Sequence, residues 1–359
     1  MLSINSKRNR TIFLSILFVA LITFMIVPRL AFADDASSGD PTGTITGKTS
    51  DISSVTSINF VWVLLCGFLI FFFQAGFAMG GTIAFTGAII LGPRIGKFKK
   101  DGKPIAIPGH HIPMAIIGTI ILFFGWFAFN AGSTLSGTDL RIGIVVTNTM
   151  LAGAFGSFSA MVYTWLKYKK PDPTMIANGG LAGLVAITAG CAYVNSISAM
   201  IIGLTAGLFV CISVWVIENK FKIDDPVGAV SVHGVNGIWG IIALGLFADG
   251  SYGEGINGVS GTVRGLFYGG TGQFFAQLID VAVIIVYGVL FSWLFWKVLD
   301  KIIKIRVRPE DEIEGLDIPE LGLLAYPDFV LSPSDEAGVN GIVNSSMLNS
   351  TFNDQNKLL

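Results

Sequence analysis

Residues 197–217 read ISAMIIGLTAGLFVCISVWVI, an apolar run without a single Asp, Glu, Lys, Arg or His side chain. A helix needs about 20 such residues to cross roughly 30 Å of bilayer hydrocarbon. Gly203 and Gly207 lie four positions apart in this run and share one helix face, where small residues allow close helix packing. The stretch therefore predicts a tightly packed transmembrane helix.

The whole chain has the same apolar character. Of its 359 residues, 52% are hydrophobic and 13% are charged, and the mean hydropathy is +0.69. Because soluble globular proteins carry about 25% charged residues, this composition excludes a cytosolic enzyme, a nucleic-acid-binding protein and a disordered protein. Cys66, Cys191 and Cys211 lie in apolar runs without metal-ligand or disulfide spacing. We expect no metal and no cofactor.

Seven candidate spans follow from the apolar runs: 59–92, 112–134, 142–166, 175–194, 197–217, 226–248 and 274–297. The predicted fold class is an all-α, polytopic membrane protein with about seven transmembrane helices. The run 59–92 is too long for one straight crossing and too short for two. The pair Gly80-Gly81 lies where this run should break, and we predict one kinked or tilted crossing.

Residues 1–33 have the pattern of a secretory signal peptide. Basic residues precede an apolar stretch, and Ala31-Phe32-Ala33 offers small residues at the cleavage positions. The apolar stretch is long, so an uncleaved membrane anchor is the alternative. Residues 34–58 are polar and rich in Ser, Thr and Gly, and we predict that they form an exposed extracellular segment.

The basic residues are distributed unequally between the two sets of loops. Fifteen Lys and Arg residues follow the first, third, fifth and seventh spans, whereas the other side has Lys48, Arg141 and Arg264. Because cytoplasmic loops carry the excess of basic residues, we predict a cell-membrane protein with its N-terminus outside. The tail, residues 301–332, is then cytoplasmic, and residues 333–359 are rich in Ser and Asn and predicted to be disordered.

One ionisable residue lies deep in a predicted span. Asp225 and Pro226 together predict a helix start, with the carboxylate as N-cap and the proline at the first helical position. His233 then lies about two turns into the membrane, with Asn236 and Gly240 on its face. Such a residue is a functional candidate, so His233 is a candidate pore residue. A histidine that is merely hydrogen-bonded between helices is the alternative.

Two rings and a hydroxyl share a face near the end of the second span. Trp126, Phe129 and Ser133 are spaced i, i+3 and i+7. Aromatic faces attract desolvated cations by about 0.5–2 kcal/mol, so these three residues are candidates for a substrate-binding outer vestibule. The spacing alone favours the alternative, the aromatic belt that membrane helices commonly carry.

A fourth span is rich in Gly and Ala. Gly179 and Gly183 have the spacing that allows close helix packing. Thr188, in the same stretch, predicts a pore-lining helix end, or else a hydroxyl bonded to its own backbone.

Four segments, in order along the chain, resemble the ammonium transporter (Amt/Mep/Rh) family: GWFAFNAGS (125–133), ANGGLAGLVAITAGCAYV (177–194), DDPVGAVSVHGVNGIWG (224–240) and EDEIEGLDIPELGLLAYPDF (310–329). The resemblance implies a homotrimer with one narrow, largely apolar pore per subunit. It also implies that Phe129 and Ser133 form the outer cation site and that His233 is the second of two pore histidines.

The resemblance implies an internal gap. Residues 59–79 resemble the first span of the family and join directly to residues 80–98, which resemble the inner half of the fifth. Spans two to four and the outer half of span five are then missing, and the place of the first pore histidine falls near Phe77 or Ala78. The chain is thus a truncated ammonium-transporter fold with an intact second repeat over 112–248.

The mechanism implied by the family begins with a cation bound outside and deprotonated. Neutral ammonia then passes along apolar walls and imidazole nitrogens, because a bare ion would lose its hydration at prohibitive cost. Since His233 lacks its partner histidine and the vestibule lacks its opposing aromatic residues, we expect ammonium transport by the isolated chain to be poor or absent. The missing wall should also open the His233 face to lipid or to a neighbouring subunit.

The tail resembles the regulatory segment of the family, which packs on a neighbouring subunit. This resemblance implies a PII-type cytoplasmic regulator as a candidate partner. We expect the acidic tail residues Glu312, Glu314 and Asp317 to reach the loops Lys97–Lys103 and Lys167–Lys170. Four apolar residues should supply most of the holding energy: Ile313, Leu316, Ile318 and Leu321.

The predicted substrate is ammonium or ammonia, the predicted surroundings are a lipid bilayer, and we expect neither enzymatic activity nor nucleic-acid binding. One alternative is a sensor that does not transport, or a regulatory subunit of a mixed trimer. Another is an unrelated seven-helix receptor or enzyme, which would need a lysine within a span or a catalytic pair, and the sequence offers neither.

Overall fold

The computed structural model describes residues 59, 61–66, 77–252 and 261–323. The predicted signal peptide, the predicted extracellular segment and the predicted disordered C-terminus lie outside these residues, as does the end of the tail beyond residue 323. The statements below concern the described residues alone.

The described chain is helical. Seven helices are α1 (Phe77–Leu91), α2 (Ile112–Gly132), α3 (Ile142–Tyr168), α4 (Pro173–Thr188), α5 (Ser196–Asn219), α6 (Asn236–Phe247) and α7 (Thr271–Ile303). A π-helical turn, Val230–Val235, leads into α6, and a short helix α8 (Pro309–Glu314) follows α7. Three further features are a 3-10 turn at Leu266–Tyr268, a π turn at Asp317–Leu321 and isolated bridges at two loops.

Five helical stretches are long and apolar enough to cross a membrane: α2, α3, α5, α7 and the stretch Val230–Phe247. Two shorter apolar helices, α1 and α4, occupy two other predicted spans. The predicted fold class, an all-α polytopic membrane protein, is therefore confirmed.

Two predicted span boundaries are wrong. The span 175–194 ends as a helix at Thr188, and turns occupy 189–193. The span 226–248 does not begin at Pro226, which lies in a turn; Gly228 then has a φ of 73°, a left-handed conformation that breaks the helix. Asp225 still caps, but it accepts hydrogen bonds from the amides of Ala229 and Val230, at 2.9 and 2.8 Å.

The core of the bundle is the contact of α3 with α4 and α5. Gly183 of α4 and Gly203 of α5 lie so close to Ala152 of α3 that a Cβ on either glycine would overlap the Ala152 carbonyl oxygen. Gly207 of α5 makes the same close approach to Gly156 of α3. The predicted role of these small residues in close packing is confirmed, because only glycine lets the backbones approach this far.

Helix α1 packs between α7 and the π-helical turn. Thr86 donates from its hydroxyl to the Ser292 hydroxyl at 2.7 Å, and Trp296 Nε1 donates to the Ile83 carbonyl oxygen at 3.1 Å. On another face, Gly81 lies against the backbone of Gly234. Helix α1 therefore joins α7 to the segment that carries His233.

Ion pairs gather several loops at one end of the bundle, here called the basic end (residues 92–104, 167–172, 218–228 and 304–323). Lys97 Nζ lies 2.6 Å from Glu218 Oε1, at the end of α5. Lys167, at the end of α3, lies over the Trp215 ring of α5. The loops predicted to be cytoplasmic thus lie together.

The two described pieces of the predicted first span reach different ends of the bundle. Asn59 Oδ1 accepts a hydrogen bond from the Gly137 amide at 3.0 Å, after α2, whereas α1 ends at Leu91 near the basic end. Residues 67–76 lie outside the described chain. A single crossing fits this arrangement and stays a prediction.

The tail contacts the end of α1, but not through the partners predicted from the sequence. Arg306 donates to the carbonyl oxygens of Leu91 and Pro93 at 2.6 and 2.9 Å, and Glu312 accepts from the Ile95 amide at 2.7 Å. The expectation that Glu312 reaches the lysine loops is wrong, because a backbone amide and Arg306 take its oxygens.

The expectation that apolar tail residues hold the tail is also wrong for this single chain. The exposed fractions are 73% for Ile313, 45% for Leu316, 47% for Ile318 and 72% for Leu321. These side chains bury too little area to supply the holding energy. Hydrogen bonds and the charges of Arg306 and Glu312 hold the tail instead.

Candidate functional site

His233 lies in the π-helical turn before α6, and its side chain is half-buried. π-Helical turns are rare and occur frequently at functional sites. The fully buried Asn236 braces this turn, because its Nδ2 donates to the Ser231 carbonyl oxygen at 2.9 Å. His233 is therefore presented from a backbone that a buried side chain fixes.

Helix α1 lies directly against this turn. A Cβ on Gly81 would overlap the backbone of Gly234 and lie 2.8 Å from the His233 carbonyl carbon. One turn along α1, a Cβ on Gly237 would lie 2.9 Å from the Ala78 Cα. The structure thus places Ala78, one candidate position for the first pore histidine, beside the start of α6, directly after the turn that carries His233. Helix α1 covers the backbone of this turn on that side.

The predicted outer group lies at the end of α2. The rings of Trp126 and Phe129 meet edge to face, with centroids 6.3 Å apart. Trp126 is 1% exposed and Phe129 is half-buried, whereas Ser133 is exposed. The shared face is real, but only Phe129 and Ser133 of the three reach the surface of the bundle.

Thr188, at the end of α4, joins this group through Trp126. The Trp126 Nε1 donates to Thr188 Oγ1 at 2.9 Å, and Thr188 Oγ1 donates to the Leu184 carbonyl oxygen at 2.7 Å. Thr188 thus ends a helix beside an irregular segment, with its hydroxyl bonded to its own backbone, and its pore-lining role stays a prediction.

The hydroxyls of Ser133 and Thr188 share one property. Ser133 Oγ donates to the Phe129 carbonyl oxygen at 2.8 Å, as Thr188 does to Leu184. A hydroxyl has one proton to donate and two lone pairs. With the proton used, Ser133 offers its lone pairs, and Thr188 offers the one that Trp126 leaves, which suits a ligand that carries N–H donors.

Helix contacts connect the outer group with His233. A Cβ on Gly240 of α6 would lie 2.5 Å from the Ala186 carbonyl oxygen of α4. The helices that carry Thr188 and His233 are thus close neighbours. The buried Asn148 of α3 further fixes the segment after Thr188, by donating to the carbonyl oxygens of Cys191 and Val194 at 2.9 and 2.7 Å.

Sequence reasoning missed the ion pair that anchors the start of the His233 segment. Arg94 Nε and Nη2 bind both carboxylate oxygens of Asp224 at 2.8 and 2.9 Å, and the Arg94 amide adds a third hydrogen bond at 2.9 Å. Burial alone would raise the pKa of Asp224, but the hydrogen bonds from Arg94 outweigh it and lower that pKa. The sequence did contain a signal for this pair. Asp224 and Asp225 are adjacent, and a helix cap needs only one carboxylate, so the other was available for a basic partner.

Comparison with known proteins adds the family. The model of the Ammonium Transporter Family matches residues 78–326. The chain belongs to the ammonium transporter family. The match begins at Ala78 and runs through the outer group, Thr188, His233 and the described tail.

Relatives of this family member come from several kingdoms. It is 51% identical to ammonium transporter Amt2 of Archaeoglobus fulgidus over 72% of this chain and 55% of the relative. It is 35% identical to ammonium transporter 1 member 1 of Arabidopsis thaliana over 70% of this chain and 52% of the relative. The chain thus spans about half the length of the curated relatives that it matches.

Solved structures give the same result. A structure named Sensor Amt Protein has 38% sequence identity and a TM-score of 0.61, over 68% of this chain and 57% of that one. Mep2 of Saccharomyces cerevisiae has 25% identity and a TM-score of 0.59, over 69% of this chain and 55% of that one. The membrane fold is that of the Amt and Mep proteins, and the chain is a multi-pass membrane protein of a transporter family.

Proposed function

We propose that this chain transports ammonium across the cell membrane, binding it as the cation and moving it as neutral ammonia. The observation that carries the proposal is the pair of hydroxyls, Ser133 and Thr188, whose protons are donated to carbonyl oxygens and each of which keeps a lone pair beyond the one that Trp126 occupies on Thr188. Such acceptors favour a ligand with N–H groups over an alkali cation of similar size, because the N–H groups are directional donors.

The outer step uses the exposed hydroxyl and a neighbouring ring. Ser133 Oγ accepts from the ammonium ion, while the partly exposed Phe129 ring attracts its charge. Trp126 does not itself reach the surface; its ring edge orients Phe129, and its Nε1 fixes Thr188. Trp126 is therefore a positioning residue for the outer site.

The inner step takes place along α4 and α6. The ammonium ion gives up a proton to the outside water, and neutral ammonia goes on, because a bare cation pays a large desolvation cost in apolar surroundings. Thr188 offers an acceptor at the end of α4, and the imidazole of His233 can donate at one nitrogen and accept at the other. The packing of Gly240 on Ala186 keeps these two helices adjacent.

We propose that the rate is low compared with that of a full-length relative. The chain spans about half of its relatives' length, and a single aromatic face is worth only about 0.5–1 kcal/mol at an exposed site. Transport is retained because α1 covers one side of the His233 turn through Gly81. The expectation that the missing wall opens the His233 face therefore does not hold for the side of the turn that α1 covers.

The assembly and orientation belong to the same proposal. The N-terminus lies outside after signal cleavage, and the basic end faces the cytoplasm. The subunits form a homotrimer, and a PII-type regulator binds at the basic end, where Glu312 of the tail accepts a hydrogen bond from the Ile95 amide.

Growth of cells without ammonium transporters, on limiting ammonium, tests the proposal. The chain should restore slow growth, and Thr188→Val should reduce it at least threefold. Thr205→Val is the matched control, because Thr205 also donates to its own helix backbone, and no aromatic donor is recorded for it among the described residues. Equal growth of the two variants, at equal amounts of membrane protein, would refute the role of Thr188; no growth above the empty vector would refute transport.

A further inference from the structure

Ser231, the second residue of the π-helical turn, is fully buried, and its hydroxyl differs from other buried hydroxyls of the bundle. Those donate to a carbonyl oxygen of their own helix: Thr149 Oγ1 donates to Val145 at 2.7 Å, and Thr164 Oγ1 donates to Ala160 at 2.9 Å. Ser231 Oγ has no hydrogen-bond partner among the described residues. Such a group is rare in native proteins, because an unsatisfied buried hydroxyl costs free energy.

The backbone before the turn explains this difference. The carbonyl oxygen four residues before Ser231 belongs to Val227, and it accepts a hydrogen bond from Asn178 Nδ2 at 3.2 Å. Gly228 follows with a φ of 73°, so the chain is not helical between Val227 and the turn. The Gly228 carbonyl oxygen accepts from the Val232 amide at 2.8 Å. The two carbonyl oxygens that a helical serine uses are therefore engaged by other donors.

Asn236, the first residue of α6, is also fully buried and leaves an acceptor unused. Its Nδ2 donates to the Ser231 carbonyl oxygen at 2.9 Å. Because a carbonyl oxygen can only accept, this bond assigns the NH2 group, and Oδ1 is left without a donor in the part of the chain that the structure describes. The equally buried Asn148 is different: its Nδ2 donates to two carbonyl oxygens, and its Oδ1 accepts from Ser196 Oγ at 3.2 Å.

We propose that Ser231 Oγ and Asn236 Oδ1 together bind one internal water molecule. Buried waters typically bond two to four polar groups that are otherwise unsatisfied. Asn236 Oδ1 can only accept, whereas the Ser231 hydroxyl can donate or accept, and water meets both requirements. The bond from Asn236 Nδ2 to the Ser231 carbonyl oxygen already joins the two residues.

The water adds a second link between the start of the turn and the start of α6. The backbone between these two links carries His233. Ser231 and Asn236 are therefore positioning residues for this segment. The water site depends only on the geometry of the turn, and it exists whether or not the chain transports ammonium.

Thermal unfolding of the full chain in detergent tests the site by the sign of one shift. Ser231→Ala should lower the melting temperature by about 2–4 °C, because it removes a hydrogen bond to the water. If the hydroxyl has no partner, the same change removes an unsatisfied polar group and raises the melting temperature. Ser159→Ala is the control, since Ser159 Oγ donates to the Gly156 carbonyl oxygen of its own helix at 3.1 Å. Such a bond adds little stability, and this variant should not melt earlier.

A second substitution tests whether one water serves both atoms. Asn236→Leu removes Oδ1 at similar side-chain volume. In that background, Ser231→Ala should lower the melting temperature by less than half of its effect in the unchanged chain, because the water has already lost one partner. Equal falls in both backgrounds would overturn the proposal. So would a Ser231→Ala variant that melts no earlier than the unchanged chain, or an equal fall in Ser159→Ala.

A crystal structure of the full chain gives the direct view. We expect a water peak within about 3.2 Å of both Ser231 Oγ and Asn236 Oδ1. Direct contact of the two atoms, without such a peak, would contradict the site. Transport activity is not part of any of these readouts, so failure here leaves the proposed function standing.

Discussion

The α3–α4–α5 unit and the α1–α7 side of the molecule are built differently. In the unit, Gly183, Gly203 and Gly207 bring their backbones against that of α3. Helix α7, by contrast, buries only Gly288 and Ser292, and side-chain hydrogen bonds join it to α1. The unit therefore depends on close backbone packing, and the α1–α7 side on a few polar contacts.

This difference explains how part of a transporter fold can persist. Membrane helices associate through van der Waals packing and polar contacts, because lipid is as apolar as their surfaces. The unit has a dense glycine seam of its own, whereas α1 contacts the site mainly at Gly81 and Ala78. In the proposed function, the retained repeat therefore supplies the scaffold, and α1 supplies one wall of the pore.

The largest expected effect separates the two regions directly. Gly207→Leu would push a side chain into the Gly156 carbonyl oxygen and the Ser159 hydroxyl. We expect a loss of at least about 3 kcal/mol of stability, since overpacking against backbone cannot relax by a rotamer change. Gly80→Leu is the matched control, because a Cβ there meets nothing within 4 Å. Thermal unfolding in detergent compares the two, and equal melting temperatures would contradict the difference between the regions.

A smaller effect is expected where α1 meets the His233 segment. Asp224→Asn leaves Arg94 without the carboxylate that binds two of its nitrogens. We expect a loss of about 2 kcal/mol, moderated by solvent because the Arg94 side chain is 36% exposed. Asp101→Asn, in an exposed pair with Lys103, should cause no measurable change. If both variants unfold alike, the Arg94–Asp224 pair does not hold α1 in place.

The pH dependence of this pair has a definite sign. The pKa of Asp224 is lowered in the folded protein, so the unfolded chain takes up a proton first as the pH falls. The contribution of the pair is complete above the unfolded value, about pH 4, and is lost as the pH falls through the lower folded value. The gap in melting temperature between the unchanged chain and Asp224→Asn should narrow below about pH 4. A gap that widens there would contradict the assignment.

The smallest effect concerns the tail on α1. Glu312→Gln weakens the acceptor for the Ile95 amide, whose hydrogen bond lowers the pKa of Glu312, and removes the charge that pairs with Arg306. For such a partly exposed contact we expect about 0–1 kcal/mol, visible as faster proteolysis of residues 304–323. Glu314→Gln, at an exposed position, is the control and should be cleaved at the unchanged rate. Equal cleavage of both variants would show that Glu312 does not hold the tail.

Patterns within a helix were predictable from the sequence. The spacing of Gly203 and Gly207 sets both on one face in any α-helix, so close packing followed before any partner was known. The spacing of Trp126 and Phe129 likewise predicted their contact. The residue that each glycine packs against, Ala152 or Gly156, depends on how α3 lies against α4 and α5. No local sequence pattern contains that arrangement.

Contacts between distant residues were not predictable. Arg94 and Asp224 could be counted only as loop charges, because nothing in either segment says that the two loops meet. The helix start at Pro226 failed for a different reason. Asp225 and Pro226 fit the local rules for a helix start, but the left-handed Gly228 delays the helix to Val230, and no local rule contains that turn.

The central claim of the proposal is that the retained repeat, with α1 as one wall of the pore, carries neutral ammonia past His233. Purified protein in liposomes, with internal pH followed after an ammonium pulse, tests it most directly. The account predicts a rate above that of protein-free vesicles and below that of a full-length relative, with His233→Ala reducing it to the protein-free rate. Uptake that His233→Ala leaves unchanged, or no uptake above protein-free vesicles, would contradict the account.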